Sequence, residues 1–343
     1  MTARAHYVTG RRLAVVVGVG ALGCGCVSAA CLLFGQVRIP PAEVLAILAG
    51  RGGEWRHVNI VLMQRLPRVI LGVLAGGGLA VAGASFQALL RNPLATPHTL
   101  GVSAGGALGA AAAISIGLAG PAVAGITSVQ FHALLGALAA VSVVYVLARR
   151  GRAISPLTLL LAGVTLGLLC SALIMFVRFV SDPTKLVMVD RWLMGGLDVM
   201  GYGSVGSTLP LLLPALAVLA LNAHTMNQLA FGEEVAVGRG VDVAAVRREV
   251  FVAGSVVTAS IVSVAGPIGF VGLIVPHAVR AVWGADQRLL VPLSFFAGGA
   301  FLVVADAVAR SAFAPSELPV GVLTALVGGP FFMLILVRKS REE

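Results

Sequence analysis

QRLPRVILGVLAGGGLAVAGASFQALLRNPLATPHTLGVSAG, residues 64–105, decides the fold class. Two arginines, Arg65 and Arg68, stand just before an apolar span dense in glycine. Arg91-Asn92-Pro93 closes that span, and a second helix rich in Gly, Ala and Ser follows. This pattern reads as a membrane helix that enters from one aqueous face, packs tightly against its neighbours and turns at the other face. Water-soluble cores do not carry it.

The rest of the chain agrees. Of its 343 residues 58% are hydrophobic and only 11% charged, against roughly 25% charged in soluble domains. Mean hydropathy is +1.00. Apolar runs recur near 13–34, 68–89, 96–117, 130–148, 155–177, 207–223, 247–265, 268–280, 289–309 and 318–337. Most approach the roughly 20 residues needed to cross the hydrocarbon. The eighth is too short to cross alone and is expected to be re-entrant or broken, which requires cover by protein or a water-filled cavity. The expectation is an all-α polytopic membrane protein of about ten helices, with residues 1–343 as one transmembrane domain.

The net charge of +10 is nearly all arginine, set singly between apolar runs. Nucleic-acid binding wants a clustered basic stripe with interleaved aromatics, so these arginines mark topology and no nucleic-acid partner is expected. With both termini placed in the cytoplasm, 15 of the 24 Lys and Arg fall inside, as the positive-inside rule favours. Arg4, Arg152 and Arg341 are among those 15. The nine outside are Arg38, Arg51, Arg56, Arg65, Arg68, Arg178, Lys185, Arg191 and Arg310. Arginines on the disfavoured side need a reason of their own, either headgroup snorkelling or a partner.

Three connections are long. Residues 35–67 carry an expected surface helix at Pro41–Leu48, residues 178–206 suit an interfacial helix on the outer face, and residues 224–246 are polar and lie inside. In the last, Phe231-Gly232 marks a break and Glu233 and Glu234 open a short helix. Gly238 and Gly240 end it, and Asp242 is a plausible N-cap for a second short helix over Val243, Ala244 and Val246. Two short helices lying along the membrane would form a rigid knob for a soluble partner.

Several motifs mislead. Gly18 to Gly23 matches GxGxxG but lies inside the first apolar helix, without the strand a dinucleotide fingerprint needs. Gly101 to Gly105 matches G-x-S-x-G, with His132 or His277 as conceivable bases for Ser103, yet small-xxx-small packing explains the same residues. Gly72/Gly76, Gly101/Gly105 and Gly105/Gly109 are GxxxG pairs of the kind that let helices approach in lipid. Cys24, Cys26, Cys31 and Cys170 have no ligand partner at metal spacing. Neither lysine, Lys185 nor Lys339, follows glycine, so the chain has no P-loop and any ATP-driven work belongs to another polypeptide. No cofactor is expected. Carboxylates are scarce in the spans, with Asp306 and Glu317 near an outer end, which argues against a proton- or sodium-coupled carrier; a gradient-driven carrier or channel is the alternative reading.

The stretches RLPRVILGVLAGGGLAVAG, QALLRNPLATPHTLGVSAGGALGA, GEEVAVGRGVDV, GPIGFVGLIVPHAVR and ADAVARSAFAPSELPVGVLTALVGGPFF, with the basic tail, resemble the FecCD-type permeases. These are membrane subunits of importers for ferric siderophores, haem and vitamin B12. The resemblance implies a type II ABC importer permease fold in the cytoplasmic membrane, and a homodimer with the path at its interface. It implies two cytoplasmic ATP-binding subunits seated on Gly232, Glu233, Glu234, Arg239, Gly240 and Asp242. A periplasmic or lipid-anchored binding protein would meet Arg65, Arg68 and Arg310 through its carboxylates, which suit the planar guanidinium fork. The chain is then a transport subunit and not an enzyme. Two departures stand out: Arg239 replaces a leucine-type residue of the docking segment, and Thr96 stands where the family often has an acid. No histidine or tyrosine ladder favours haem, so the class of metal chelate is implied but not its member.

Overall fold

The computed structural model describes residues 10–118, 125–150, 153–312 and 316–340; Arg4, Arg152 and Arg341, counted above for sidedness, lie outside them. Helix α1 (Gly10–Cys31) is apolar on every side and buries only Val16, Cys24 and Cys31. The 35–67 connection, expected on the outer face, holds α2 (Pro41–Leu48), with proline in its first turn where a missing N–H costs nothing. Glu43 of α2 accepts a hydrogen bond from His57 Nδ1 at 2.8 Å, which holds its carboxyl below the usual range. Helix α3 (Trp55–Asn59) continues through a π-helical turn, Ile60–Arg65, into α4 (Leu66–Leu89).

Then come α5 (Val102–Ser115), α6 (Ser128–Ala148), a two-residue antiparallel pair β1 (Arg149–Arg150) and β2 (Ala153–Ile154), α7 (Pro156–Val180) and α8 (Pro183–Leu193). They are followed by α9 (Gly203–Leu221), α10 (Ala223–Ala230), α11 (Glu233–Gly238), α12 (Val243–Ala265), α13 (Val271–Trp283), α14 (Gln287–Ala312) and α15 (Val320–Ser340). Local chemistry sets the ends: Thr127 and Gln130 form a reciprocal capping box for α6, and Ser155 and Asp242 cap α7 and α12. Seven of the described helices are long and apolar enough to cross a bilayer, and α5, α13 and Val320–Leu334 are shorter apolar helices, matching the expected ten.

Two expectations need correction. The third span was expected over 96–117, but the helix is Val102–Ser115; Pro97 and Gly101, at φ +78°, hold the chain before it out of the helix. The second short helix after Asp242 does not exist as a separate element. Asp242 accepts the Ala245 N–H at 3.0 Å, and nothing in VAAVRREVF interrupts the helix, so it runs on as the span α12.

Helix α4 is the centre. Of its most apolar window 83% is buried, against 11% for α1 and α7. It packs on α14, α12 and α13. With little hydrophobic drive between helices in lipid, this contact depends on small residues. A Cβ on Gly76 would strike the Gly298 carbonyl, one on Gly77 the ring of Phe295, and one on Gly83 the Gly272 carbonyl. Gly105 and Gly109 of α5 meet Gly136 and His132 of α6 in the same way, so the GxxxG and G-x-S-x-G residues serve packing. Ser103 makes no hydrogen bond with His132 or His277; His132 Nδ1 instead lies 2.8 Å from Ser128 O.

A proline inside a span releases a carbonyl, and at Pro276 the fold answers it. Pro276 of α13 cannot donate to Gly272 O; Gln87 Nε2 of α4 donates to it at 3.2 Å, and Arg280 Nη2 donates to Gln87 Oε1 at 3.0 Å. Gly83→Ala is expected to destabilise the detergent-solubilised protein by about 1–3 kcal/mol through forced separation of α4 and α13. Gly18→Ala on α1, where nothing lies within 4 Å, should leave the thermal midpoint unchanged or slightly raised.

Candidate functional site

The outer end of α4 is built around Pro67. The π-helical turn pairs Leu66 N–H with Val61 O, so the next carbonyls, Leu62 and Met63, would look to residue 67, which has no N–H. Both are taken by the connection after α8: Tyr202 Oη donates to Leu62 O at 2.9 Å and Gly201 N to Met63 O at 2.7 Å. That tie brings Asp198 beside Arg68. One sequence motif thus places an arginine and recruits the loop that carries its counter-ion.

Arg68 is the hub. Its Nε donates to both Asp306 oxygens at 3.0 Å and its Nη2 to Oδ1 at 2.8 Å. Its Nη1 reaches Asp198 at 3.0 Å and Glu317 at 2.8 Å. Asp306 is buried, whereas Asp198 and Glu317 keep 46% and 30% of their side chains exposed. The inner edge of the guanidinium is therefore sealed and the outer edge is held by carboxylates in reach of solvent. Arg65 and Arg310 lie behind it, 3% and 4% exposed. Arg65 donates to Leu32 O at 2.8 Å and Val37 O at 2.5 Å, tying α1's outer end to α4. Arg310 sits 3.1 Å from Asp306 as an ion pair without an aligned hydrogen bond from its Nε. The three arginines anticipated from sequence thus come together, but only Arg68 has an edge near the surface. The carboxylates Asp198 and Glu317 were not anticipated as part of the cluster, because only the fold brings them there.

At the opposite end, α10, α11 and the start of α12 form an elbow. Gly232 at φ +120° makes the bend, a conformation that side chains oppose. Gly240, at φ +81°, makes the second. Glu233 contacts Arg247 Nη2, and Arg247 Nη1 reaches Ile154 O at 3.5 Å, so the short strand pair braces the elbow. Asn227 Nδ2 donates to Asp286 Oδ1 at 2.7 Å and its Oδ1 accepts the Gln287 N–H at 2.7 Å, joining α10 to α14. Partial burial of Asp286 works against ionisation, yet its hydrogen bonds from Arg288 and Asn227 outweigh it and hold the carboxyl below its ordinary range. Arg239 stands over the Phe231 ring, 6.0 Å from its centroid. Glu234, Val235, Val237 and Phe231 are exposed, Phe231 at 72%. The sequence reading picked the glycines and charges of this knob. It missed the exposed Phe231, Val235 and Val237, whose signal is apolar residues within the most polar inner connection.

Between the 95–100 turn, the end of α8, and the facing parts of α13 and α15 lies a recess of about 630 Å³. Thr96 and His98 are its polar side chains; Met194, Phe270, Leu273 and Leu326 are among the apolar ones. Thr96 and Thr99 lock the turn through reciprocal hydrogen bonds at 3.1 and 3.2 Å. Phe270 stands at φ +67°, an unfavourable conformation for an aromatic residue. Among the described residues no three His, Cys, Asp or Glu side chains group as a metal site.

Comparison with known proteins agrees with this architecture. The model of the FecCD transport family matches residues 23–338. The chain is 46% identical over 283 residues to the cobalamin import system permease protein BtuC of Halobacterium salinarum, covering 82% of this chain and 74% of that one. It is 37% identical over 285 residues to the hemin transport system permease protein HmuU of Yersinia pestis, covering 83% and 85%. A solved structure described as an inward-facing conformation of a metal-chelate type ABC transporter superposes with a TM-score of 0.80 at 29% identity, covering 95% of this chain and 99% of that one.

The charge cluster predicts an asymmetry. Asp306→Asn removes the buried partner of Arg68 and Arg310 and should cost about 3–5 kcal/mol of stability. Asp198→Asn breaks a half-exposed pair and should cost less than about 1 kcal/mol. Thermal unfolding of the two variants in detergent checks the difference.

Proposed function

The chain belongs to the FecCD transport family and is a multi-pass permease of the ABC importer class for metal chelates; from that premise we propose its partners, its path and its cargo. The whole chain acts as one permease domain with both termini in the cytoplasm. Two copies pair so that their recesses face a shared path. Support for this comes from α7 and α15, whose outward sides carry Leu161, Leu168, Phe176, Leu326 and Leu334 at 60–69% exposed, flanking that recess. The cargo is a ferric siderophore or a related chelate, with cobalamin and haem as the other members of the class.

The observation that carries the reading is the elbow. It is a braced, partly apolar knob, Phe231, Val235 and Val237, on a chain that has no nucleotide-binding loop. Such a knob transmits force only if something soluble grips it, and an ATP-hydrolysing subunit is the partner the family premise supplies. Gly232, Glu233, Glu234, Arg239, Gly240 and Asp242 shape the knob, and the apolar trio fills the partner's groove. Phe231→Asp with Val235→Asp alters only exposed positions, so the chain should fold normally. It should lose co-purification with the cognate ATPase and the stimulation of ATP hydrolysis by loaded binding protein. Undiminished coupling in that variant would refute the seating. Solute accumulation in vesicles holding this chain alone would instead favour a gradient-driven carrier.

On the outer face, a carboxylate of the binding protein would take the Nη1 edge of Arg68 from Asp198 and Glu317. Arg65 and Arg310 contribute positive potential from behind and keep the hub in place. Because Arg65 and Arg310 are also structural, reversing their charge would unfold the outer end and report nothing about docking. Neutralising the internal competitors is the cleaner test. Asp198→Asn with Glu317→Gln should tighten docking about two- to fivefold, and the gain should shrink as salt screens the pair. Weaker docking in that variant, read by binding to the membrane-reconstituted permease, would overturn the exchange.

A further inference from the structure

Helices α1 and α9 both lie against α14 but make almost no contact with each other. Between them runs a cleft of about 810 Å³. Its walls are small or apolar: Ala14 and Val17 of α1, Ala217 and Ala220 of α9, Phe295 and Phe296 of α14. The residues beside it face outward and are apolar, with Val15, Leu213 and Leu221 at 58%, 53% and 81% exposed. The cleft therefore opens where hydrocarbon lies. The two titratable side chains that line it, His224 and Arg288, are both at the elbow end, together with Gly10, which directly precedes Arg11 and Arg12.

The charge at that mouth is prepositioned. Asp286 accepts from Arg288 Nε at 3.1 Å and Nη2 at 2.7 Å, and Asn227 fixes the same carboxylate. The guanidinium is thus clamped along one edge, its Nη1 takes no part in the pair, and 39% of the side chain stays exposed. Asp286 offsets one positive charge, and Arg11, exposed and next to Gly10 in the chain, adds another at the same end.

We propose that this cleft is a site for one anionic phospholipid, with an acyl chain between α1 and α9 and the phosphate at the Nη1 edge of Arg288 under the positive potential of Arg11. Basic pockets between transmembrane helices on one leaflet side recognise such headgroups, and the long apolar cleft supplies the place for the chain. A second copy is not the occupant favoured here, because the faces proposed to pair, α7 and α15, do not line the cleft. The lipid would also touch α10 through Ala223 and His224, the first helix of the elbow, so its presence would stiffen the element that couples to the ATPase.

The test titrates the purified full chain with phosphatidylglycerol or phosphatidylcholine of identical acyl chains and reads adducts by native mass spectrometry. One phosphatidylglycerol should bind at least about fivefold more tightly than phosphatidylcholine. Ala220→Trp, which fills the cleft from an exposed face of α9, should remove that preferred adduct. Arg11→Gln and Arg288→Gln should each weaken phosphatidylglycerol while leaving phosphatidylcholine as it was; Arg11 lies outside the packed core, so its variant tests the charge without risk to folding. Equal retention of the two lipids, or an unchanged phosphatidylglycerol adduct in Ala220→Trp, would overturn the site. Disulfide-linked dimers from Ala220→Cys would also overturn it, by giving the cleft to a second copy.

Discussion

Hydrocarbon offers a freed backbone carbonyl no hydrogen bond, and at two prolines beside the central helix the protein supplies a donor of its own. This constraint organises both ends of the central helix. At the outer end, Pro67 releases Leu62 and Met63, and Tyr202 and Gly201 answer. At the inner half, Pro276 releases Gly272 O, and Gln87 answers from α4. The same two repairs fix what α4 can touch. One carries Asp198 to Arg68, and the other holds α13 against the glycine face, where Gly83 leaves room for the Gly272 carbonyl.

Close approach and charge are linked through that helix. Small residues let α14 lie directly on α4, which places Asp306 within bidentate reach of Arg68. A buried ion pair of this kind is weak evidence of net stabilisation, because desolvation offsets attraction, but losing one partner is costly. Its value lies in geometry. It fixes Arg68 so that a single edge faces carboxylates that water can reach, and a fixed cation with replaceable partners is well suited to exchange with an external acid.

Outer cluster, recess and elbow sit on different ends of the same helices, which gives a physical route between them. The recess draws walls from α13 and α15, α13 is tied to α4 by Gln87 and Arg280, and α4 ends in the charge cluster. The elbow joins α14 through Asn227 and Asp286 and joins the 149–154 strand pair through Arg247. The elbow is thereby tied to α12 and α14, which pack on α4 and α9 in the core. Phe270, at φ +67° and packed against Gly328 of α15, forms part of the recess wall.

Much of this was readable from the chain alone. Apolar runs spaced by arginines set the number of spans, Pro41–Leu48 announced its helix, and the break at Gly232 announced the elbow, because hydropathy and backbone preference are properties of short segments. The failures were of two kinds. Residues 96–101 looked apolar enough for helix but are held out by Pro97 and Gly101, and the residues after Asp242 joined the following span, since a cap marks a start without saying how far a helix runs. The grouping of Arg68 with Asp198, Asp306 and Glu317 joins residues up to 249 positions apart, and no periodicity encodes that. Sequence settled which segments enter the membrane, since water and hydrocarbon act on each residue locally; packing alone decided which charges meet and which clefts stay open, since those depend on how closely distant helices can approach.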